Sequence, residues 1–278
     1  MGKFSNNLGK RILNKGPKIG YCVICGKYGK LSRDHVPPRK CNNLSDVELK
    51  ALFSKEQISK VGTISQGGAH YRTICSECNS THLGTKYDPA LVDLSNDITS
   101  YVMAANNRLI SLPEVISPFI KPQKIARSVV GHCLAAIAIE ETKTGLVSSP
   151  ISDSLREYFL NESLPMPKEL DIYYWLYPSK RQVVVKNMGK SSINGNGTIF
   201  GHVIKFLPLG FWLVWNKPKT VDIKMRSLLS NKNIGINEVE QHEINLYDVP
   251  ALDFPEAPAD HEFIALNSNY AVVADKKK

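Results

Sequence analysis

Two Cys-x-x-Cys pairs constrain the fold of this chain more than any other feature of its sequence. One pair lies in the stretch "YCVICGKYGKLSRDHVPPRKC" (residues 21–41), and the other directly follows "HYRTI". Each pair can present two thiolates from a single tight turn, and four thiolates complete the tetrahedral shell that structural zinc prefers. The pattern therefore predicts one structural Zn²⁺ site, with four ordinary buried cysteines as the alternative. The expected ligands are Cys22, Cys25, Cys75 and Cys78.

The expected setting of the chain is cytoplasmic and reducing, without a membrane. The first twenty residues lack the apolar core of a signal peptide, and the longest apolar stretches, "CLAAIAI" and "FLPLGFWLVW", are too short to cross a bilayer. Disulfides are rare in such a compartment, so the cysteines are expected to be metal ligands or core residues. Cys41 and Cys133 belong to neither pair and are expected in the core.

The positive charge of the chain is concentrated beside the first cysteine pair. The formal net charge is +9, and residues 1–40 hold ten lysines and arginines against one acid, Asp34. The other 238 residues carry 25 basic and 25 acidic side chains, so they are neutral as a group. A bias of this kind suits a polyanionic partner. We expect residues 1–20 to form a flexible basic arm that binds a nucleic acid, or else a tail that only keeps the protein soluble.

The chain beyond the first cysteine pair alternates between helical and β-rich patterns. Residues 45–61 carry apolar side chains at helical spacing after Ser45 as N-cap, and they predict a helical insertion. Residues 99–162 are helical by pattern, and one of their helices is expected to end at Gly145. Residues 163–278 are rich in β-branched and aromatic residues separated by turn formers, which predicts an antiparallel sheet.

Several polar side chains lie close to the cysteine pairs in the sequence. A zinc ion with four thiolates has no open position for a substrate, so any chemistry must use these other side chains. The candidates are Asp34, His35, His70, Asn79 and His82. Four cations flank them and are candidate phosphate contacts, although single basic residues are as often only solvated. These cations are Arg33, Arg39, Lys40 and Arg72.

The order of these motifs resembles a known family. "CVIC", then "RDHVPP", then "HYRTIC" and "SECN" are similar to the HNH nuclease module, in the subclass that carries a four-cysteine zinc. The resemblance covers residues 21 to about 97 and has no counterpart in residues 100–278. It implies an α+β fold. A ββα-metal module held together by zinc over residues 21–98 is followed by a helical segment over 99–162 and an antiparallel β-rich C-terminal domain over 163–278.

The resemblance also implies a role for each candidate residue. His35 matches the general base that takes a proton from the attacking water, and Asp34 and Asn79 match the two ligands of a catalytic divalent ion. The family has a central asparagine five residues before the third cysteine, which pins the loop that positions the base, and this chain has His70 there. An imidazole can serve as that pin or reach a phosphate; a strand histidine without a task is the remaining alternative. His82 is an extra ligand, a phosphate contact or a solvated helix residue.

These residue types suit phosphodiester hydrolysis. Histidine titrates near neutral pH, and carboxylate and amide oxygens are hard ligands for Mg²⁺ or Mn²⁺. The leading hypothesis is an endonuclease that depends on Mg²⁺ or Mn²⁺ and acts on DNA, with RNA left open as a substrate. The alternatives are an RNA-directed toxin nuclease and a zinc ribbon that binds nucleic acid without cutting it. By analogy, a bacterial or phage defence or restriction role is expected, with a homodimer or a defence partner protein as further options.

One other pair of potential ligands is expected to have a structural role. His132 and Cys133 are adjacent in "ARSVVGHCLAAIAIEE", which suggests a second metal site. Because the surrounding helix is apolar, we expect His132 to be a hydrogen-bonded core histidine instead.

Overall fold

The computed structural model describes residues 16–43, 45–52, 63–192, 197–258, 261–266 and 271–276. In this part of the chain the fold is α+β, with sixteen strands and five helices. The helices are α1 (Glu77–Tyr87), α2 (Asp88–Asn106), α3 (Pro122–Ala135), α4 (Glu141–Thr144) and α5 (Pro150–Leu160). The strands are β1 (Ile19–Tyr21), β2 (Tyr28–His35), β3 (Val47–Ala51), β4 (Thr63–Ser65), β5 (His70–Cys75), β6 (Val115–Ile116), β7 (Phe119–Ile120), β8 (Leu170–Leu176), β9 (Gln182–Ser192), β10 (Thr198–Phe206), β11 (Leu209–Trp215), β12 (Arg226–Ser227), β13 (Glu240–Gln241), β14 (Ile244–Asn245), β15 (Glu262–Ala265) and β16 (Ala271–Lys276).

A small antiparallel sheet carries both cysteine pairs. Its strand order is β1-β2-β5, and the first Cys-x-x-Cys pair forms the turn between β1 and β2. The register of β2 and β5 places Asp34 opposite Tyr71 and His35 opposite His70. The alternating sequence of "HYRTIC" predicts a short strand. This prediction is confirmed by β5, which is followed closely by α1.

Helices α1 and α2 continue one another behind this small sheet. The hydrogen bonds of α1 are π-helical, and those of α2 are α-helical. Helix α3 packs against α1, α2 and α5 and also contacts β5 and β10. It therefore lies between the small sheet and the large one.

The large sheet has nine strands in the order β12-β8-β11-β10-β9-β16-β3-β4, with β15 paired to β9. Its pairs are antiparallel, which confirms the antiparallel β-rich prediction for the C-terminal half. Two of its strands, β3 and β4, come from the segment that was assigned to the N-terminal module. The large sheet is therefore not confined to residues 163–278. The short strands β6 and β7 pair with β14 and β13, outside both sheets.

The helix predicted over residues 45–61 is wrong for Val47–Ala51, which is strand β3. Val47 and Leu49 are buried, whereas Glu48 and Lys50 lie on the other face, where their side chains form an ion pair of 2.8 Å. This alternation is the period of a strand, and pairing with β16 and β4 satisfies the backbone on both sides. Residues 53–61 of the predicted helix lie outside the described residues.

The helix predicted to end at Gly145 ends at Ala135. Ala136 has an extended backbone and Ile137 has a left-handed φ of 59°. The ammonium group of Lys186 donates to the carbonyls of Leu134 (3.2 Å) and Ala136 (3.1 Å), so a side chain from β9 satisfies the end of α3. The short helix α4 follows after this break.

The predicted basic arm lies mostly outside the described residues. Of residues 1–20, the structure describes 16–20, and Ile19 and Gly20 belong to β1. A Cβ on Gly16 would lie 2.2 Å from the carbonyl oxygen of Arg72, so this glycine allows close backbone contact with β5. The end of the predicted arm is therefore part of the small sheet.

The small sheet, the helices and one face of the large sheet share a hydrophobic core. Cys41 and Cys133 are 0% and 1% exposed in this core, as expected, and burial raises the pKa of both thiols to about 12. A second cluster covers the other face of the large sheet around Trp175 and Trp212. None of the helices that the structure describes combines the length and the apolar character needed to cross a membrane.

Candidate functional site

The four predicted cysteines come together at one end of the small sheet. The Sγ atoms of Cys22 and Cys78 are 3.7 Å apart, as are those of Cys25 and Cys75, and all four lie within 4.8 Å of one another. A tetrahedron with Zn–S bonds of about 2.3 Å has edges of roughly 3.8 Å. The four thiols can therefore hold a metal ion such as zinc.

A tight turn from Cys22 to Gly26 positions the first cysteine pair of this cluster. The N–H of Gly26 donates to the carbonyl of Cys22 (2.8 Å), and Gly26 has a φ of 73° that favours glycine. On the opposite side, Cys75 ends β5 and Cys78 lies in the first turn of α1. The order of strand, turn and helix thus brings the two pairs together.

The electrostatics of the cluster also favour a cation. Hydrogen bonds from Cys25 and Cys78 lower the pKa of Cys22 to about 2, whereas the resulting thiolate raises the pKa of Cys25 to about 11 and that of Cys78 further. One thiolate therefore opposes ionisation of its neighbours. A bound cation would remove this repulsion.

His35 and His70 lie side by side on β2 and β5, with ring centroids 5.5 Å apart. His35 Nε2 is 3.2 Å from the carbonyl oxygen of Gly67. Because a carbonyl only accepts, Nε2 carries the proton in the neutral ring and Nδ1 has a free lone pair. Partial burial, with the positive potential of His70, Arg39 and Arg33, lowers the pKa of His35 to about 4. His35 is therefore neutral at pH 7.

His70 is 5% exposed and is bonded to the turn that precedes its own strand. Its Nδ1 lies 3.0 Å from the carbonyl oxygen of Gly68 and 3.1 Å from the hydroxyl of Ser65. This turn also carries the Gly67 carbonyl that orients His35. The contacts of His70 fit the loop-pinning option better than the phosphate-contact option.

Asn43 was not among the predicted residues, although it joins the loop after His35 to the same turn. Its Nδ2 donates to the carbonyls of Pro37 (2.6 Å) and Ala69 (3.0 Å), and its Oδ1 accepts from the Ala69 N–H (2.8 Å). A Cβ on Gly68 would lie 2.3 Å from Asn43 Oδ1. Asn43 is not part of any of the motifs that resemble the HNH module, so no sequence signal pointed to it.

The carboxylate of Asp34 is buried at the side of helix α3. Asp34 is 2% exposed, and its Oδ2 lies 3.4 Å from His132 Nδ1, within ion-pair distance. Neither atom has a hydrogen-bond partner among the described residues. Consecutive strand residues point to opposite faces, so Asp34 and His35 leave β2 in opposite directions. The structure does not bring the Asp34 carboxylate to the face that carries His35.

His132 lies between two carboxylates. Its Nε2 is 3.0 Å from Asp88 Oδ1, which also accepts from the hydroxyl of Ser128 (2.7 Å). Burial favours the neutral ring, but Asp88 and Asp34 outweigh burial and raise the pKa of His132 to about 10. Burial also raises the pKa of Asp34, and the charge of His132 opposes that shift. The prediction of a hydrogen-bonded core histidine is confirmed. No motif pointed to its partner Asp88, or to Ser128, which donates to the same carboxylate.

Asn79 lies in the first turn of α1, beside β2. Its Nδ2 donates to the hydroxyl of Ser32 (3.0 Å) and to the carbonyl of Arg33 (2.8 Å). These bonds fix the orientation of the amide. Within the described part of the chain, no hydrogen bond is made to its Oδ1.

His82 packs between helices instead of facing His35. Its ring centroid lies 6.2 Å from that of Tyr87 and 5.7 Å from that of Phe159. Burial lowers the pKa of the ring, and its buried Nδ1 has no hydrogen-bond partner in the part of the chain that the structure describes. Neither the ligand role nor the phosphate-contact role has a described contact to support it.

The predicted cations lie on β2 (Arg33), in the loop after it (Arg39 and Lys40) and on β5 (Arg72). Arg33, Arg39 and Lys40 are exposed, and Arg72 is partly exposed. Arg33 and Arg39 lie close enough to His35 to lower its pKa. Among the residues that the structure describes, none of the four forms an ion pair.

Comparisons of the chain with protein-family models, with curated proteins and with solved structures found no match. Among the described residues, the four-cysteine group is the one cluster of three or more acidic, histidine or cysteine side chains arranged to hold a metal ion. The HNH resemblance of residues 21–97 stays a prediction from the motifs.

Proposed function

We propose that the chain is a metal-dependent endonuclease of the HNH type that hydrolyses phosphodiester bonds in DNA. The observation that carries this proposal is the state of His35. Its ring is neutral at pH 7, its Nε2–H is directed to the Gly67 carbonyl, and its Nδ1 is left as a proton acceptor beside exposed cations. A neutral ring with a free lone pair can accept a proton from water, which is the task of a general base.

In this proposal, each nearby group has a limited task. His35 Nδ1 takes a proton from the attacking water. Arg33 and Arg39 attract the phosphate, whose negative charge raises the pKa of His35 towards neutrality and so increases its basicity. His70 and Asn43 hold the turn that fixes the His35 ring.

The proposed structural metal is zinc, bound by the four cysteines. The Sγ separations of 3.7 Å and the four-thiolate donor set both suit it. Zinc here joins the turn before β2 to the end of β5 and the start of α1. It therefore supports the strand that ends in His35.

We assign Asp34 and Asn79 as the ligands of a second, hard divalent ion, as the HNH resemblance implies. Among the described residues, Asp34 Oδ2 is a buried acceptor without a hydrogen bond, and the bonds of Asn79 Nδ2 leave Oδ1 available. To hold Mg²⁺ or Mn²⁺ together with Asn79 Oδ1, the Asp34 carboxylate would have to leave His132 and turn to the face of β2 that carries His35. When bound, such an ion neutralises charge on the phosphate and stabilises the leaving oxygen.

One observation favours a second function, a module that binds nucleic acid without cutting it. The Asp34 carboxylate already has a positive neighbour in His132 and faces away from His35. If Asp34 stayed paired with His132 when the protein binds DNA, the protein would keep its cations and its zinc site. It would have no divalent ion beside His35 and could not cut.

The test is cleavage by the purified protein of plasmid DNA, single-stranded DNA and RNA, with Mg²⁺, Mn²⁺ or EDTA. We expect His35→Ala to lower the cleavage rate about 10²- to 10⁴-fold while DNA binding stays nearly unchanged. His261→Ala is the matched control, because His261 is exposed and far from the site in sequence. If His35→Ala cuts like the wild type, the proposal is wrong; DNA binding without any cleavage would support the binding module.

A further inference from the structure

The last turns of helix α2 extend beyond the core of the protein. Ile98 is the last buried residue of this helix, although the helix continues to Asn106. Tyr101, Val102 and Met103 point in three directions around the helix axis, and they are 39%, 38% and 52% exposed. Apolar side chains exposed together on several sides of a helix indicate an element that another surface covers.

This exposed segment carries very little charge. From Ile98 to Leu112, Arg108 is the one charged residue, and Asp97 comes directly before this stretch. Both charged side chains are exposed, and neither forms an ion pair within the part of the chain that the structure describes. Partial desolvation and the charge of Asp93, one turn earlier, raise the pKa of Asp97. A cation placed beside Asp97 would therefore be stabilising.

Four side chains form a row along this part of α2, which we call the α2 seam. Its members are Asp97, Tyr101, Ala104 and Arg108, separated by four, three and four residues. This is the spacing of the contact row between two packed helices. Arg108 lies just beyond the end of the helix with a left-handed φ of 58°, and its N–H donates to the carbonyl of Ala105 at 2.9 Å. The backbone of Arg108 is therefore fixed at the end of the seam.

The α2 seam is complementary to itself when its direction is reversed. Tyr101 and Ala104 lie at equal distances from the midpoint of the seam, and so do Asp97 and Arg108. An antiparallel copy of the helix would place the large Tyr101 ring opposite the small Ala104. It would also place the Asp97 carboxylate opposite the Arg108 guanidinium. Each contact would occur twice, as two-fold symmetry requires.

We propose that two copies of this chain associate through antiparallel contact of their α2 seams. The seam spans about three helical turns, which is short for a permanent interface, so the Kd should be in the micromolar range. None of the seam residues belongs to the four-cysteine cluster or to the residues around His35. The proposal therefore does not depend on nuclease activity.

The first experiment measures the molar mass of the full chain by sedimentation equilibrium at low ionic strength, between about 1 and 100 μM. We expect the mass of the wild type to rise from that of one chain to that of two. Tyr101→Ala should weaken the association at least about tenfold, because it removes the aromatic ring of the seam. Tyr28→Ala is the matched control, because Tyr28 is also exposed but lies on β2. It should associate like the wild type.

Exchange of the two charges tests the antiparallel register. Asp97→Arg and Arg108→Asp should each weaken self-association about tenfold, because two like-charged contacts replace two attractive ones. An equimolar mixture of these two variants should associate like the wild type, because both contacts between unlike chains again join opposite charges. The double variant should recover for the same reason. Asp222→Arg, at an exposed aspartate between β11 and β12, is the control and should leave the association unchanged.

Two results would overturn the proposal. One is a wild type that stays monomeric up to about 100 μM, since the exposed end of α2 would then not join two copies. The other is a mixture of the two single charge variants that associates no more tightly than either variant alone, since any dimer would then use other contacts. Both exchanged side chains are exposed, and aspartate tolerates a left-handed φ at position 108, so we expect the variants to fold.

Discussion

At the scale of single residues, the surroundings of His35 define its protonation state. Partial burial removes water from the ring, and His70 and Arg39 oppose a further positive charge, so the pKa falls to about 4. The Gly67 carbonyl fixes which nitrogen carries the proton. The same histidine on an open strand would be partly protonated near pH 6.5 and free to rotate.

The pH dependence of cleavage follows from this state. A general base acts only when it is unprotonated, so the rate falls as the pH decreases through its pKa. For the free protein that pKa is about 4, so kcat/KM should lack an acid limb between pH 8 and about pH 5. A pH profile of kcat/KM on a short DNA duplex is the measurement. A fall centred near pH 6.5 would show that His35 is not the base or is not shielded as described.

At the scale of elements, helix α3 is joined to the small sheet by polar contacts within the core. The hydroxyl of Thr73 in β5 donates to the carbonyl of Ala135 at 2.7 Å, and His132 lies between Asp34 of β2 and Asp88 of α2. These contacts hold β2 in place from the side opposite His35. The imidazolium is the shared cation of two carboxylates.

Removing this cation should destabilise the protein. His132→Leu leaves the buried Asp34 carboxylate without a positive neighbour, so we expect the free energy of unfolding to fall by about 3–5 kcal/mol. Adding Asp34→Asn to the same chain should recover part of the loss, because an amide needs no counter-charge. Urea denaturation measures both changes.

The exposed His261 provides the control for this experiment. His261→Ala should change the free energy of unfolding by no more than about 0.5 kcal/mol. A loss below about 1 kcal/mol in His132→Leu, or no recovery in the double variant, would contradict the described role of the ion pair.

The sequence predicted the elements whose signal is local. The two Cys-x-x-Cys turns, strand β5 and the antiparallel sheet follow from spacing and from runs of β-branched and aromatic residues. Strand β3 was misread because "VELKA" is short, and its apolar residues fit a helix as well as a strand. Its partner β16 lies more than 200 residues later. The local sequence pattern of β3 cannot show pairing with a strand so distant in the sequence.

Within the candidate site, the sequence predicted which residues come together, but it did not predict how each of them is buried and paired. The proximity of His35 and His70 and the clustering of the four thiols follow from motif order. The burial of Asp34 against His132 does not, because α3 comes about a hundred residues after β2. The contact of Asn43 with Gln182 likewise depends on a segment that is distant in the sequence.

At the scale of the whole molecule, the zinc-site region and the large sheet are not independent units. Strands β3 and β4 extend the large sheet, and the hydrophobic core runs from Cys22 and Cys78 to Phe211. Gln182 of β9 also donates to Asn43 Oδ1 at 3.2 Å, beside the turn that orients His35. Loss of the metal should therefore lower the free energy of unfolding of the whole chain and not only that of the small sheet.

The most direct test is the metal content of the natively purified protein. We expect one zinc per chain, lost in Cys75→Ser and kept in Cys133→Ala, whose thiol lies in the core away from the cluster. Structural zinc contributes on the order of 10 kcal/mol in small modules, so chelation should also lower the unfolding midpoint. A folded protein that contains no zinc, or a Cys75→Ser variant that keeps a full equivalent, would contradict the zinc site on which the position of His35 depends.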